Sequence, residues 1–158
     1  GNDICHWIAT FYKNIKTCVI VNGKVSHNFE IQRGCRQGDP VSPCLFVLCA
    51  EILANRIRAD ESIKGIIILD TEFKINQFAD DTSFTLIGEK ESYEKLFATL
   101  KEFEEMSGLK LNYEKTVNVW LGQNKHSNTA YLPDTKMQWN PLKFKLLGIW
   151  FTNDLSEI

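Results

Sequence analysis

The sequence predicts an α+β fold, because segments with helical spacing of apolar residues alternate with segments that carry hairpin signals. Helical spacing occurs over residues 3–14, 44–58 and 89–107. Hairpins are indicated by Asn22-Gly23, a pair that favours type I′ turns, and by period-two alternation over residues 73–87. The 158 residues contain no internal repeat, low-complexity tract or heptad series. We therefore expect one mixed domain, or a piece of one.

The first predicted helix covers residues 3–14, with Asn2 or Asp3 as its N-cap. Its apolar residues recur three or four positions apart at Ile4, Trp7, Ile8 and Phe11. Residues 18–21 and 25–31 then predict two strands that pair around the Asn22-Gly23 turn.

Residues 32–43 are rich in Gly, Pro and Arg and predict an irregular segment. Pro43 suits the first turn of a helix, with Ser42 as its N-cap. Residues 44–58 are apolar nearly all round, so we expect a buried helix there.

The second half predicts a strand at residues 65–69, strands at 73–78 and 82–87, and a helix at 89–107. Gly108 is the expected left-handed C-cap of that helix. Residues 117–121 and 144–151 are predicted to be strands, separated by a polar segment and a loop that contains proline.

The composition is that of a soluble globular protein, with 44% hydrophobic and 24% charged residues. The sequence shows no membrane-spanning stretch, no signal peptide and no initiator Met at Gly1. These features predict an intracellular chain, in the nucleus, the cytoplasm or both, that is a fragment of something longer. The five cysteines are odd in number and form no Cys-x-x-Cys pair, which argues against a zinc site and favours reduced thiols.

The net charge of −2 argues mildly against a dedicated nucleic-acid-binding domain. The charges are nevertheless unevenly distributed: residues 1–40 carry five Lys and Arg against three acids, and residues 108–150 carry six Lys against two acids. Acidic residues concentrate between these flanks. This pattern suits a metal site that is bordered by phosphate contacts, although surface charge also varies this much by chance.

Asp80 and Asp81 lie side by side between the two strand-like segments 73–78 and 82–87. Adjacent like charges disfavour each other's ionisation, and a divalent cation removes that cost. Because Mg²⁺ is held by one or two carboxylates plus substrate phosphates, the pair predicts a polymerase-type metal site. The alternative is an ordinary turn, in which Asp hydrogen-bonds its own backbone.

Four segments resemble, in order, the motifs of one family. Residues 33–46 (Arg-Gly-Cys-Arg-Gln-Gly-Asp-Pro-Val-Ser-Pro-Cys-Leu-Phe) resemble the Arg-Gly-x-Arg-Gln-Gly-x-Pro-x-Ser-Pro-x-Leu-Phe signature of reverse transcriptases, especially those of non-LTR (LINE-type) retrotransposons. Residues 78–81 (Phe-Ala-Asp-Asp) are similar to the catalytic aromatic-Ala-Asp-Asp motif. Residues 107–116 resemble the next palm motif, and residues 144–149 resemble the primer-grip segment, with Leu146 where the family commonly has Tyr.

The resemblance implies a partial reverse transcriptase domain over residues 1–158, consisting of the palm with part of the fingers–palm junction. The palm is expected to be an antiparallel sheet with packed helices, lacking the start of the fingers and the thumb. The implied activity is two-metal nucleotidyl transfer onto a primer 3′-OH, with Mg²⁺, or Mn²⁺ in its place, as the cofactor. The implied partners are an RNA template, a DNA primer and dNTPs.

The same resemblance implies roles for individual residues. Asp80 is the main metal ligand with Asp81 as its lesser neighbour, and Lys115 would neutralise or protonate the leaving pyrophosphate. The other implied contacts are with template or nucleotide at Arg36, Gln37, Gly38 and Phe78, and with the primer at Leu147 and Gly148. Arg33 and Arg36 could instead form ion pairs with Asp39 or Glu30, Lys115 could be an exposed strand-edge lysine, and Phe78 is also compatible with the core.

The family carries a further metal-binding Asp upstream of the position of the Asn22-Gly23 hairpin, and Asp3 lacks the Phe-Asp context of that motif. We therefore expect these 158 residues alone to be inactive as a polymerase. The alternative is a non-catalytic remnant of a decayed retroelement that keeps the fold and binds nucleic acid weakly. A Phe-Asp motif in open frame upstream in the coding sequence favours the enzyme, and a stop codon or frameshift there favours the remnant.

Overall fold

The computed structural model of the protein describes residues 1–152 except Arg33 and Gln37. The described residues form three α-helices: α1 (Asn2–Phe11), α2 (Ser42–Ala59) and α3 (Lys90–Ser107). The chain divides into two compact units, Gly1–Phe46 and Val47–Ile158. The mixture of helices and strands confirms the predicted α+β class.

The described strands associate in pairs, and each pair is a separate two-stranded sheet. The β1–β4, β2–β3, β5–β6, β7–β8 and β11–β12 pairs are antiparallel, whereas β9 and β10 are parallel. The strands are β1 (Lys16–Thr17), β2 (Ile20–Val21), β3 (Lys24–Val25), β4 (Phe29–Glu30), β5 (Ile66–Ile68), β6 (Thr71–Phe73), β7 (Ile75–Phe78), β8 (Asp81–Phe84), β9 (Val117–Asn118), β10 (Gln138–Trp139), β11 (Lys143–Leu146) and β12 (Ile149–Thr152).

The first unit contains two antiparallel strand pairs, β1–β4 and β2–β3. Asn22 and Gly23 both have positive φ, 50° and 75°, so the predicted type I′ turn between β2 and β3 is confirmed. The strands are shorter than predicted, because the Oγ atom of Ser26 accepts the N–H of Val19 and interrupts the ladder beside β2 and β3. Among the described residues of Gly1–Phe46, no apolar side chain is buried.

Two predictions about α1 were wrong in detail. The helix begins at Asn2 with Gly1 as its N-cap, and no side chain caps it, so neither Asn2 nor Asp3 has the expected role. It ends at Phe11 rather than Asn14, which has a φ of 55° and therefore lies outside helical conformation.

The prediction that α2 is buried all round was also wrong. The helix has Pro43 in its first turn, as expected, but it begins at Ser42, so Ser42 is its first residue and not the predicted N-cap. Only one face is buried, at Leu53, Ala54 and Ile57. Val47, Leu48 and Ile52 are exposed. Apolar composition shows only that a helix face is suited to burial. Burial also requires residues that pack against that face, and the described residues provide such partners for one face of α2.

The core of the second unit lies between α2, α3 and the root of the β7–β8 hairpin. Its buried members are Leu53, Ala54, Ile57, Ile63, Ile75, Leu96 and Phe103, with Phe84, Leu86 and Leu100 packed against them. Helix α3 ends as predicted, because Gly108 adopts the left-handed conformation with φ of 74° and its N–H bonds the carbonyl of Glu104.

A second cluster of aromatic side chains joins α3 to the segment after it. Tyr93 lies 5.4 Å from the rings of both Tyr131 and Trp139, and Trp120 lies 5.4 Å from Tyr131. The Tyr93 hydroxyl donates a hydrogen bond to Oδ1 of Asn118, and burial raises the pKa of that phenol. These contacts hold β9 and β10 against α3.

Residues 144–151 were predicted to be one strand and instead belong to the β11–β12 hairpin. The chain reverses at Leu147 and Gly148, whose φ values of 49° and 85° fit a type I′ turn. The predicted strand 117–121 is shortened to β9. The described pairs do not form one continuous sheet, so the palm-type sheet stays a prediction.

The structure bears on the expectations about the cysteines and about membrane-spanning segments. None of the five cysteines, all within the described range, forms a disulfide. No described helix is long and apolar enough to cross a membrane.

Candidate active site

Asp80 and Asp81 lie at the end of the β7–β8 hairpin, here called the Asp hairpin. Phe78 pairs with Asp81, which leaves Ala79 and Asp80 as a two-residue turn. Ala79 has a φ of 53°, whereas Asp80 is not among the residues with positive φ, as in a type II′ turn. Gly is the usual residue at the position of Ala79, so this turn carries local backbone strain.

The two faces of the Asp hairpin differ in environment. Ile75 is 6% exposed and pairs with Phe84, which packs against the core. Side chains alternate along a strand, so Phe78 and Asp81 lie on the opposite face, and Phe78 is 68% exposed. This exposure excludes the alternative that Phe78 is a core residue. An aromatic ring and a carboxylate thus share the solvent-facing side of the turn.

The two carboxylates are open to a ligand. Both side chains are exposed, and neither forms a hydrogen bond or an ion pair with any described residue. Ionised carboxylates are acceptors only, and oxygen is the ligand that Mg²⁺ prefers. The pair therefore fits the protein's share of a magnesium site that is completed by phosphate or water oxygens. Within the described part of the chain, no group of three or more acidic, His or Cys side chains gathers at one place.

Asp80 and Asp81 occupy different positions. Asp80 is a turn residue, whereas Asp81 is the first residue of β8 and is paired across the hairpin with Phe78. Their roles as metal ligands stay predictions.

The segment predicted to contact template and nucleotide lies between β4 and α2. Gln37 and Arg33 are outside the described residues. Gly38 has a φ of 84°, and an added Cβ atom would meet no heavy atom within 4 Å, so its backbone is accessible. An open glycine backbone permits the close approach of a ligand.

Arg36 forms contacts within the first unit. Its guanidinium lies 3.6 Å from the Asp39 carboxylate and 5.6 Å from the centre of the Tyr12 ring. It also donates a hydrogen bond of 3.4 Å to the carbonyl of Phe11. Of the two alternative ion pairs, the described structure therefore contains the one with Asp39. The guanidinium is still partly exposed, so a contact with phosphate stays a prediction.

Sequence reasoning missed a network around Asp39. The Tyr12 hydroxyl donates a hydrogen bond of 2.9 Å to Oδ2 of Asp39 and lies 2.8 Å from Oγ of Ser42. The N–H of Val41 donates to Oδ1, and this bond is the largest of the effects that hold the pKa of Asp39 below its usual value. The Asp-Pro dipeptide was a signal for the local turn. Nothing in the sequence indicated the contact with Tyr12, which is 27 residues away.

Lys115 lies in a turn immediately before β9 and is not a strand-edge residue. Its N–H donates to Oδ1 of Asn112 at 3.2 Å, and its side chain is exposed. Among the described residues, its ammonium group forms no ion pair. The charge is therefore available to an anionic ligand.

Leu147 and Gly148, predicted as primer-grip residues, form the turn of the β11–β12 hairpin. Leu147, the first residue of the turn, is exposed, and most apolar side chains of the hairpin are also exposed. The rings of Phe144 and Phe151 stack at 5.5 Å across the two strands.

The structure distributes these candidates over both units. Arg36 and Gly38 belong to Gly1–Phe46, whereas Asp80, Lys115 and Leu147 belong to Val47–Ile158. Within the described residues, no hydrogen bond or ion pair joins Asp80 or Asp81 to Lys115 or to the Leu147-Gly148 turn.

The chain is similar to a known protein family and to a curated protein. The model of the family described as "Reverse transcriptase (RNA-dependent DNA polymerase)" matches residues 2–151. An uncharacterized mitochondrial protein of Arabidopsis thaliana is 38% identical over 88 residues, which are 52% of this chain and 66% of the relative. The chain thus spans just under two thirds of the length of that relative.

Proposed function

Because the chain belongs to the reverse transcriptase family, we propose that it is the palm portion of an RNA-directed DNA polymerase and that the Asp hairpin supplies part of its metal site. The observation that carries the proposal is the pair of exposed carboxylates, free of partners among the described residues, on a turn whose root is buried in the core. Catalytic groups need such rigid support, because small displacements cost large factors in rate.

The finer assignment is to a non-LTR (LINE-type) element. The Arg-Gly-x-Arg-Gln-Gly-x-Pro-x-Ser-Pro signature at residues 33–43 and the Phe-Ala-Asp-Asp sequence at residues 78–81 support it. The partners of the complete enzyme would be an RNA template, a DNA primer and dNTPs.

Each candidate residue has a proposed role. Asp80 holds the metal, and Asp81 contributes charge beside it. Mg²⁺ held by these carboxylates would supply charge stabilisation to the reacting oxygens. Phe78 offers an exposed apolar surface to the primer end, and Lys115 neutralises charge on the departing phosphates. The remaining contacts are assigned to template or nucleotide for Arg36, Gln37 and Gly38, and to primer for Leu147 and Gly148.

Localised oxidative cleavage tests the metal site. Fe²⁺ in place of Mg²⁺, with ascorbate and peroxide, generates radicals that cut the backbone near the bound ion. We expect cuts around residue 80 that are lost in Asp80→Asn and weakened in Asp81→Asn. Asp70→Asn is the matched control, because Asp70 is an exposed carboxylate in the two-residue turn of β5–β6. Equal cleavage in Asp80→Asn and wild type would contradict the assignment.

We further propose that the 158 residues alone do not polymerise. Two-metal transfer needs a further carboxylate, and the described residues bring no third acidic group to Asp80 and Asp81. A primer-extension assay with an RNA template, labelled dNTPs and Mg²⁺ measures this directly. We expect no incorporation above that of Asp80→Asn, and incorporation that depends on Asp80 would refute the proposal.

A further inference from the structure

Lys74 is a buried lysine: its residue is 6% exposed. Lysine is almost never buried unless its charge is paired. The Nζ atom lies 3.2 Å from Oε2 of Glu72, and it donates hydrogen bonds to the carbonyl oxygens of Arg58 at 3.2 Å and Asp60 at 2.9 Å. An ammonium group has three N–H donors, and these three acceptors match them.

The contacts of Lys74 place a positive charge at the C-terminus of α2, which ends at Ala59. The last carbonyls of a helix lack partners within it, and the helix dipole makes this end negative. The Lys74 ammonium compensates both effects. The buried charge is therefore held at one position, since removal from its acceptors would leave it desolvated and unpaired.

Lys74 also belongs to the root of the Asp hairpin. It immediately precedes β7, and its carbonyl accepts the N–H of Thr85 at 2.9 Å, just beyond the end of β8. Its partner Glu72 accepts the N–H of Gly65 at 2.7 Å through its other oxygen. One residue thus links the end of α2, the end of β6 and both strands of the Asp hairpin.

We propose that Lys74 is a positioning residue that sets the direction of the Asp hairpin and so the place of Asp80 and Asp81. Phe78 is the fourth residue after Lys74, a distance of about 13 Å in extended chain. Over that length a rotation of about 5° at the root moves the turn by about 1 Å, enough to reduce catalysis on the order of a hundredfold. The expected effect on metal binding and catalysis rests on the proposed metal site. The expected effect of Lys74 on the position of the turn does not.

The test uses ¹⁵N-labelled chain and two readouts. Lys74→Met removes the ammonium and keeps most of the side-chain volume. Lys64→Met is the matched control, because Lys64 is an exposed lysine that is paired with Glu89 at 2.9 Å. The first readout is the backbone order parameter of residues 79–81, and the second is the Mn²⁺ concentration that broadens their amide signals by half. Unchanged amide shifts in α3 show that a variant is folded.

We expect Lys74→Met to lower the order parameters of the turn from about 0.85 towards 0.6 and to raise the half-broadening Mn²⁺ concentration several-fold. Lys64→Met changes neither. A folded Lys74→Met chain with wild-type order and wild-type Mn²⁺ response overturns the inference. If wild type shows no Mn²⁺ effect at the turn but Lys74→Met still loosens it, positioning is upheld and the proposed metal site fails.

Should Lys74→Met not fold, Glu72→Gln decides the question. This variant keeps an oxygen acceptor for the Gly65 amide, removes the negative charge and replaces the oxygen that faces Lys74 by an NH2 donor. We expect the same loosening of residues 79–81 to a smaller degree. Wild-type order parameters in a folded Glu72→Gln chain would then overturn the inference.

Discussion

The Asp hairpin and the β11–β12 hairpin have turns of the same length and differ in how their strands are supported. Each reverses through two residues, of which the first is a non-glycine residue with positive φ, Ala79 at 53° and Leu147 at 49°. The root of the Asp hairpin lies in the core, with Ile75 buried and Phe84 packed beside it. In the described part of β11–β12, no residue is buried.

The turn sets the register of a hairpin, whereas the burial of its side chains supplies most of its stability. A two-stranded hairpin without other contacts is at best marginally stable in water. The carboxylates of Asp80 and Asp81 therefore lie on a hairpin whose root is packed in the core. The apolar residues of β11–β12 receive little support from the described chain.

The largest expected effect comes from removing support at the root. Ile75→Ala should lower the free energy of unfolding by about 2–5 kcal/mol, because it leaves a cavity in the core. The matched change Ile149→Ala, at a residue that is 63% exposed, should alter it by no more than about 0.5 kcal/mol. Urea unfolding followed by circular dichroism measures both. Equal losses in the two variants would contradict the comparison.

A smaller effect is expected at Gly65, whose N–H bonds Glu72. A Cβ atom there would collide with the carbonyl group of Phe73, a backbone atom that cannot move away cheaply. Gly65→Ala should therefore cost about 1–3 kcal/mol in the same unfolding experiment. A neutral result would mean that the β5–β6 segment shifts freely relative to the hairpin root.

The smallest effect is expected at the turn itself. Ala79→Gly should leave the free energy of unfolding unchanged or raise it by up to about 1 kcal/mol. It relieves strain at positive φ, which stabilises the folded state, and this gain offsets or exceeds the cost of the chain entropy that glycine adds to the unfolded state. The same substitution at Ala98, exposed within α3, should instead lower it by about 1 kcal/mol. If Ala79→Gly costs as much as Ala98→Gly, the turn is not strained.

Local chemistry made parts of the fold predictable. Asn22-Gly23 and Gly108 carry their conformations in their own residue types, and both were predicted correctly. The turn at Leu147 was missed, because leucine has no preference for positive φ and Gly148 was the one local signal. The exposure of α2 was missed because composition does not reveal which face finds a partner.

The candidate site was predictable where it depends on adjacent residues. The alternation correctly predicted a hairpin with Asp80 in its turn, whereas Asp81 belongs to the second strand instead of preceding it. The contacts of Lys74 with the end of α2 and of Tyr12 with Asp39 were not predictable, because they join residues 14 and 27 positions apart through tertiary packing. From residue type alone, Lys74 and Asp39 would be placed at the surface.

One measurement tests the metal site most directly: the broadening of ¹⁵N–¹H amide signals along the wild-type chain when Mn²⁺ is added. We expect the strongest broadening at residues 79–82 and little at residues 69–71, where the single carboxylate of Asp70 lies in a comparable turn. Mg²⁺ in excess should reverse it. Equal broadening at the two turns, or a maximum elsewhere in the chain, would contradict the assignment of Asp80 and Asp81 to a metal site.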